Sequence, residues 1–167
     1  EIGGKASWLR DRLQGSIALY QMEIQDLLVA QRVGEDQFIG QNAGKTRHQG
    51  LELSLQYAIP TAARVSFSPF LSYTLNNHTF REFVDGDADY SGNELTGVPA
   101  HQLYSGILVD SDRGWYWNSN YQYVDAIPLT DSNTVYSDAY HLFNMQAGYR
   151  TRLAARLSLG LEIGVNN

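Results

Sequence analysis

The chain contains no cysteine. That excludes a disulfide-stapled module and a thiolate metal centre, and it suits passage through an oxidising periplasm, where a stray thiol is a liability. No run of about 18 apolar residues occurs, so no helix is expected to span a membrane. Basic residues are outnumbered, 12 against 18 acids, for a net charge of −6, which leaves no nucleic-acid footprint. No leader of charged, apolar and small residues opens the chain. It starts at Glu1 inside what already reads as a strand and stops at Asn167, so both ends read as cut and the sequence as a fragment of a longer protein. There is no G-x-S-x-G, no phosphate-cradling loop and no Cys/His pair. His48, His78, His101 and His141 lie scattered, without helical metal-ligand spacing. Neither an enzyme nor a bound cofactor or metal ion is expected.

What the chain does have is a period of two. From Arg156 to Asn166, Leu157, Leu159, Leu161, Ile163 and Val165 fall on one side, and Ser158, Gly160, Glu162, Gly164 and Asn166 on the other. About ten such residues match a tilted strand crossing a hydrocarbon core, whereas soluble strands average about five or six. Val65, Phe67, Pro69, Leu71, Tyr73 and Leu75 oppose Ser66, Ser68, Ser72, Thr74 and Asn76, with Phe70 the one exception. Trp115, Trp117, Tyr121 and Tyr123 alternate with Asn118, Asn120 and Gln122, and Phe143, Met145, Ala147 and Tyr149 with Asn144, Gln146, Gly148 and Arg150. A face of Ser, Thr, Asn, Gln and Gly suits the wall of a wet lumen better than a packed interior. The 11 Tyr and 3 Trp suit aromatic girdles at two membrane interfaces, although soluble β-proteins are also rich in them.

The expected fold is therefore all-β, an antiparallel transmembrane β-barrel with about eight strands in this chain. The strands are placed at about 3–10, with Ala6 and Trp8 outward, 13–33, to Ile59, 64–80, 100–110, from Gly114, to Arg150, and to the C-terminus. The second carries Ala18, Tyr20, Met22 and Ile24 on one face and Gln21, Glu23 and Gln25 on the other. Turns are expected at Asp11-Arg12, Gly34-Glu35-Asp36, Pro60-Thr61-Ala62-Ala63, Ser111 to Gly114 and Thr151-Arg152-Leu153. Longer polar loops are expected at 81–98 and 130–138. Short turns alternating with long loops match an outer-membrane barrel, long loops outside.

In the first of these loops, Asp85, Asp87 and Asp89 alternate in the way of a calcium-binding loop. A full EF-hand loop wants Gly at its sixth position and Glu at its twelfth, and Tyr90 and Thr96 stand there instead. A solvated acidic loop and a calcium loop both stay open. His78, Arg81, Asp85, Asp87, Asp89 and Tyr90 are the candidate residues of an outer ligand vestibule.

Asn42-Ala43-Gly44-Lys45-Thr46-Arg47-His48-Gln49-Gly50-Leu51-Glu52 resembles the N-x-G-K-x-x-x-x-G-x-E strand of TonB-dependent outer-membrane receptors. Leu95-Thr96-Gly97-Val98-Pro99-Ala100-His101 resembles a loop-to-strand junction of that family, and Gly164-Val165-Asn166-Asn167 its near-terminal G-x-N-N. The resemblance implies that residues 1–167 are part of a barrel of about 22 strands, with the N-terminal plug before Glu1 and a closing strand after Asn167. It implies a bacterial outer-membrane location, lipid around the barrel, a ferric siderophore or similar scarce nutrient as cargo, and TonB acting through the plug. Among the motif residues, Asn42, Gly44, Gly50 and Glu52 are expected to be structural. Gly44 and Gly50 are placed in strand interiors, where glycine permits a bulge or a close approach, here by the plug. Glu52 faces inward, either paired with a plug arginine or as a solvated lumen charge. Two other readings stay open. One is a small self-contained eight-stranded barrel of adhesin or structural type; the other is a soluble β-sandwich binding carbohydrate through Trp115, Trp117 and Tyr121.

Overall fold

The computed structural model of the chain describes all residues except 27, 33–35, 43, 62–63 and 156. Among the described residues every regular element is a strand. In chain order these are β1 (Ile2–Trp8), β2 (Leu13–Gln25), β3 (Leu28–Arg32), β4 (Phe38–Asn42), β5 (Lys45–Tyr57), β6 (Ile59–Pro60), β7 (Val65–Glu82), β8 (Val84–Asp85), β9 (Ala88–Asp89), β10 (His101–Ser111), β11 (Trp115–Val124), β12 (Tyr140–Ala154) and β13 (Leu157–Asn166). Eight of them form one antiparallel meander, β1-β2-β5-β7-β10-β11-β12-β13, with β6 added on β7. β3–β4 and β8–β9 are separate hairpins. Among the described residues β1 pairs only with β2 and β13 only with β12, so the eight strands form an open sheet. The self-contained barrel is thereby set aside.

Several boundaries differ from expectation; Pro60, expected to open a turn, instead ends the short strand β6, opposite Ser66. Asp26, with φ 58°, breaks the long second strand into β2 and β3, and Gly44, with φ 66°, separates β4 from β5. Both residues sit in the left-handed region, which a strand does not tolerate, and only Gly adopts it without steric cost. Gly44 is therefore a turn residue and not a strand-interior one. The last hairpin turns later than Thr151-Arg152-Leu153, because β12 runs on to Ala154 through a register shift between Arg152 and Ala154. Val33, Gly34, Glu35, Ala43, Ala62, Ala63 and Arg156 lie outside the described residues.

The register sorts the sheet into two faces. Ile17↔Leu53↔Tyr73↔Leu103↔Tyr123↔His141 and Leu19↔Leu51↔Leu75↔His101 run across neighbouring strands on the outward side. Ser16↔Ser54↔Ser72↔Tyr104↔Gln122 run across the lumen side. The outward side chains are left uncovered, Ile163 at 76% exposure, and no second sheet lies over them among the described residues. That removes the sandwich, whose apolar face would be buried. Trp8, Tyr57, Trp115, Trp117 and Tyr149 mark the short-turn end of the outward face, and Tyr73, His101, Tyr121, Tyr123 and His141 the long-loop end. The strand from Trp115 to Tyr123 covers roughly 26 Å before tilt, against an apolar band about 25 Å tall.

Beyond Leu19, Leu51 and Leu75 the outward positions turn polar, with Gln21, Glu23, Arg47, Gln49, Asn77 and Thr79. The outer ends of β2, β5 and β7 thus stand clear of the apolar band. There the lumen side carries Tyr20, Met22 and Ile24, so the apolar face of β2 switches sides. Once the chain leaves lipid, only the inner side offers apolar surface to cover.

Candidate functional site

The packed core lies at the outer end, above the band. Phe80, Phe83 and Leu95 are buried, with Tyr90 and Val98 against them. The Phe80 and Phe83 rings lie 4.8 Å apart, and Tyr90 lies 5.7 Å from Phe83. Where β10 has not yet begun, residues 92–95 take its place beside β7: Gly92 N donates to Phe80 O, Phe80 N to Asn93 O and Leu95 N to His78 O. The loop after β11 then locks onto this segment. Asn133 Nδ2 donates to Glu94 O and Glu94 N to Asn133 Oδ1, Thr96 and Asn93 bond Asp131, Tyr136 Oη donates to Glu94 Oε2, and Gly97 N donates to Pro128 O. Two of the chain's outer loops thereby form one crown.

The candidate vestibule residues fall into three places. Asp85, Asp87 and Asp89 belong to the β8–β9 hairpin on top of the crown, Asp87 and Asp89 exposed. Asp89 Oδ1 accepts from Ser91 N at 2.9 Å; the Ser91 hydroxyl, then its backbone N–H, hold that carboxyl below the usual range. Arg81 is the extra residue where Lys45 faces Glu82 and Thr46 faces Phe80, a bulge; it is exposed. Tyr90 is taken up by the core cluster. His78 faces the lumen and does not join the acidic hairpin. Among the described residues no group of three or more His, Cys, Asp or Glu is placed to hold a metal ion.

Sequence reasoning missed what surrounds His78. Its ring lies 4.6 Å from that of His48, directly opposite on β5. His78 Nε2 lies 2.9 Å from Tyr20 Oη, which also donates to Asn76 Oδ1 at 2.9 Å. His48 Nε2 lies 2.9 Å from Thr46 Oγ1. The only sequence signal was two histidines on polar faces, and their register was needed to pair them.

The motif residues have local explanations. Gly44 lies against β7, where an added Cβ would stand 2.2 Å from Glu82 O. The notch over Gly50 is filled by the Tyr20 ring and not by another segment, since a Cβ there would stand 2.5 Å from the phenol oxygen and 2.3 Å from Leu75 O. Glu52 faces the lumen between Ala18 and Thr74. Asn42 ends β4, opposite Leu28. Lower on the same wall, Tyr116 Oη donates to Glu162 Oε2 at 2.6 Å beneath the Arg150 guanidinium, and Asn144 Nδ2 donates to Asn120 Oδ1 at 3.0 Å. Asn118, Asn120, Asn144, Gln146, Glu162 and Asn166 line a lumen hollow of about 330 Å³.

The crystal structure of the siderophore receptor PiuA from Acinetobacter baumannii is similar to this chain with a TM-score of 0.69 at 19% identity, over 96% of this chain and 22% of that one. The chain thus spans about a fifth of that receptor's length. The model of the TonB dependent receptor-like β-barrel family matches residues 1–167. The uncovered apolar band, the polar lumen wall, the short inner turns and the long outer loops are that family's architecture, and the chain belongs to the TonB-dependent receptor β-barrel family.

Proposed function

We propose that residues 1–167 are one sector of the barrel of a bacterial outer-membrane receptor that binds a scarce nutrient and imports it. The ferric siderophore is the first cargo to test, because the similar solved structure is that of a siderophore receptor. In this reading the remaining barrel strands and a plug belong to the same protein, lipid covers the outward face, and TonB relays energy through the plug. The protein is a receptor and not an enzyme. The observation that carries the reading is the sheet's two-sidedness. One face is apolar, uncovered and edged by aromatic belts; the other is hydroxyl- and amide-lined. Loss of iron–siderophore uptake on deleting the gene, restored by the intact protein, is the expected result; undiminished uptake rejects this cargo.

Within that receptor, His78, Arg81, Asp85, Asp87 and Asp89 contribute to the outer vestibule, with Tyr90 holding the hairpin to the core. Asp87 and Asp89 present exposed carboxylates at the outermost turn. Reversing both to Lys in the intact receptor is expected to weaken ligand binding. Unaltered affinity removes the hairpin from the site.

A further inference from the structure

Proton accounting around His78 leads to a device that stands apart from the cargo. Asn76 Nδ2 donates to Pro99 O at 3.0 Å, which fixes the amide so that Oδ1 faces Tyr20. A carbonyl oxygen only accepts, so the single Tyr20 hydroxyl proton goes to Asn76 Oδ1. The contact between Tyr20 Oη and His78 Nε2 then requires the proton on Nε2. Neutral His78 is left with a bare lone pair on Nδ1, and that atom is buried with no partner among the described residues.

We propose that His78 is an acid-sensitive latch on the outer loop of residues 83–100. A proton arriving at Nδ1 makes a buried N–H with no acceptor among the described residues, beside the His48 ring. The titratable groups facing it are Tyr20 from β2 and His48 from β5, with Glu52 two register pairs further down the lumen side. Neither neighbour is a carboxylate able to pair with the imidazolium. The open arrangement, with the ring in water, binds the proton more tightly, so acid favours opening. Swinging the ring out removes His78 from the end of the His78–Tyr20–Asn76–Pro99 chain at the base of the loop. His78 O also holds Leu95 N, which ties the same residue to the crown.

The test is amide exchange of the peptide spanning residues 93–100 in the intact protein in lipid vesicles, at pH 7.5 and 5.0, with labelling times scaled for intrinsic chemistry. Protection is expected to fall about tenfold at the lower pH, because the open arrangement takes up the proton that the closed one excludes. His78→Gln, which cannot take up the proton, is expected to hold the same protection at both pH values. His48→Gln removes the neighbouring imidazole and eases protonation of His78 in the closed arrangement, so the acid-dependent loss of protection is expected to shrink. Equal protection of the unaltered protein at both pH values overturns the latch. So does an unchanged pH-dependent loss in His78→Gln, or in His48→Gln a loss larger than that of the unaltered protein. None of these readouts depends on which nutrient the receptor carries.

Discussion

Phe70 lies across the strand pair from Gly106, its ring filling the place where a Cβ would stand 2.6 Å from Cζ. The same relation joins Tyr20 to Gly50 and Tyr116 to Gly148, each pair directly opposite in register and on the lumen side. An aromatic ring laid over a glycine covers backbone that the missing side chain leaves bare, and it pins the register of two strands. This accounts for Phe70, the one apolar residue among Ser66, Ser68, Ser72, Thr74 and Asn76 on that face of β7.

Gly106→Ala is expected to cost about 1–3 kcal/mol through overpacking, because its Cβ also meets Ser119 O at 2.3 Å, which is backbone and cannot swing away. Gly4→Ala, with nothing within 4 Å, is expected to be neutral or slightly stabilising, since it removes only unfolded-state freedom. Urea unfolding of the two variants in the same detergent checks the contrast; equal midpoints reject it.

Leu161 stands outward near the middle of β13. Leu161→Arg is expected to cost about 2–4 kcal/mol in the bilayer and to lower the amount of heat-modifiable barrel in the outer membrane. Ser54→Arg, on the lumen side, is expected to leave insertion intact. Should the two variants insert alike, the assignment of faces is wrong.

Asn133 exchanges two hydrogen bonds with the Glu94 backbone across the crown. Asn133→Ala is expected to cost about 1–3 kcal/mol locally and to expose both loops to protease together. Cleavage confined to residues 125–139 contradicts the single crown.

Asp89 supports its turn as a carboxylate, with its titration held down by Ser91. Its contribution is therefore complete above the ordinary carboxylate range of about pH 4 and is lost as the pH falls through the lowered value. After scaling for intrinsic chemistry, protection of the Ser91 amide should fall at acid pH in the unaltered protein and be low at every pH in Asp89→Ala. A flat profile in the unaltered protein counts against this.

The two faces were legible in the sequence because alternation is a local property. Leu157 to Val165 point one way in any antiparallel sheet, and which residues meet lipid follows from that alone. The long loops were legible too, as runs of Asp, Gly and Ser without period. What the loops do was not: residues 81–98 read as irregular, yet Phe80, Phe83 and Leu95 bury one another there. Their spacing has no period, and the core needs residues 92–95 folded back on β7.

The amino-acid order by itself determined the all-β class, the lipid-facing stripe, the alternation of turns and loops, and the family, because each rests on neighbours along the chain. Only the tertiary structure decided that Tyr20 occupies Gly50, that His48 faces His78, that Arg81 is a bulge and that the two outer loops form one crown. Each of these depends on register between strands far apart in sequence, and a shift of one residue would turn every such partner to the opposite face.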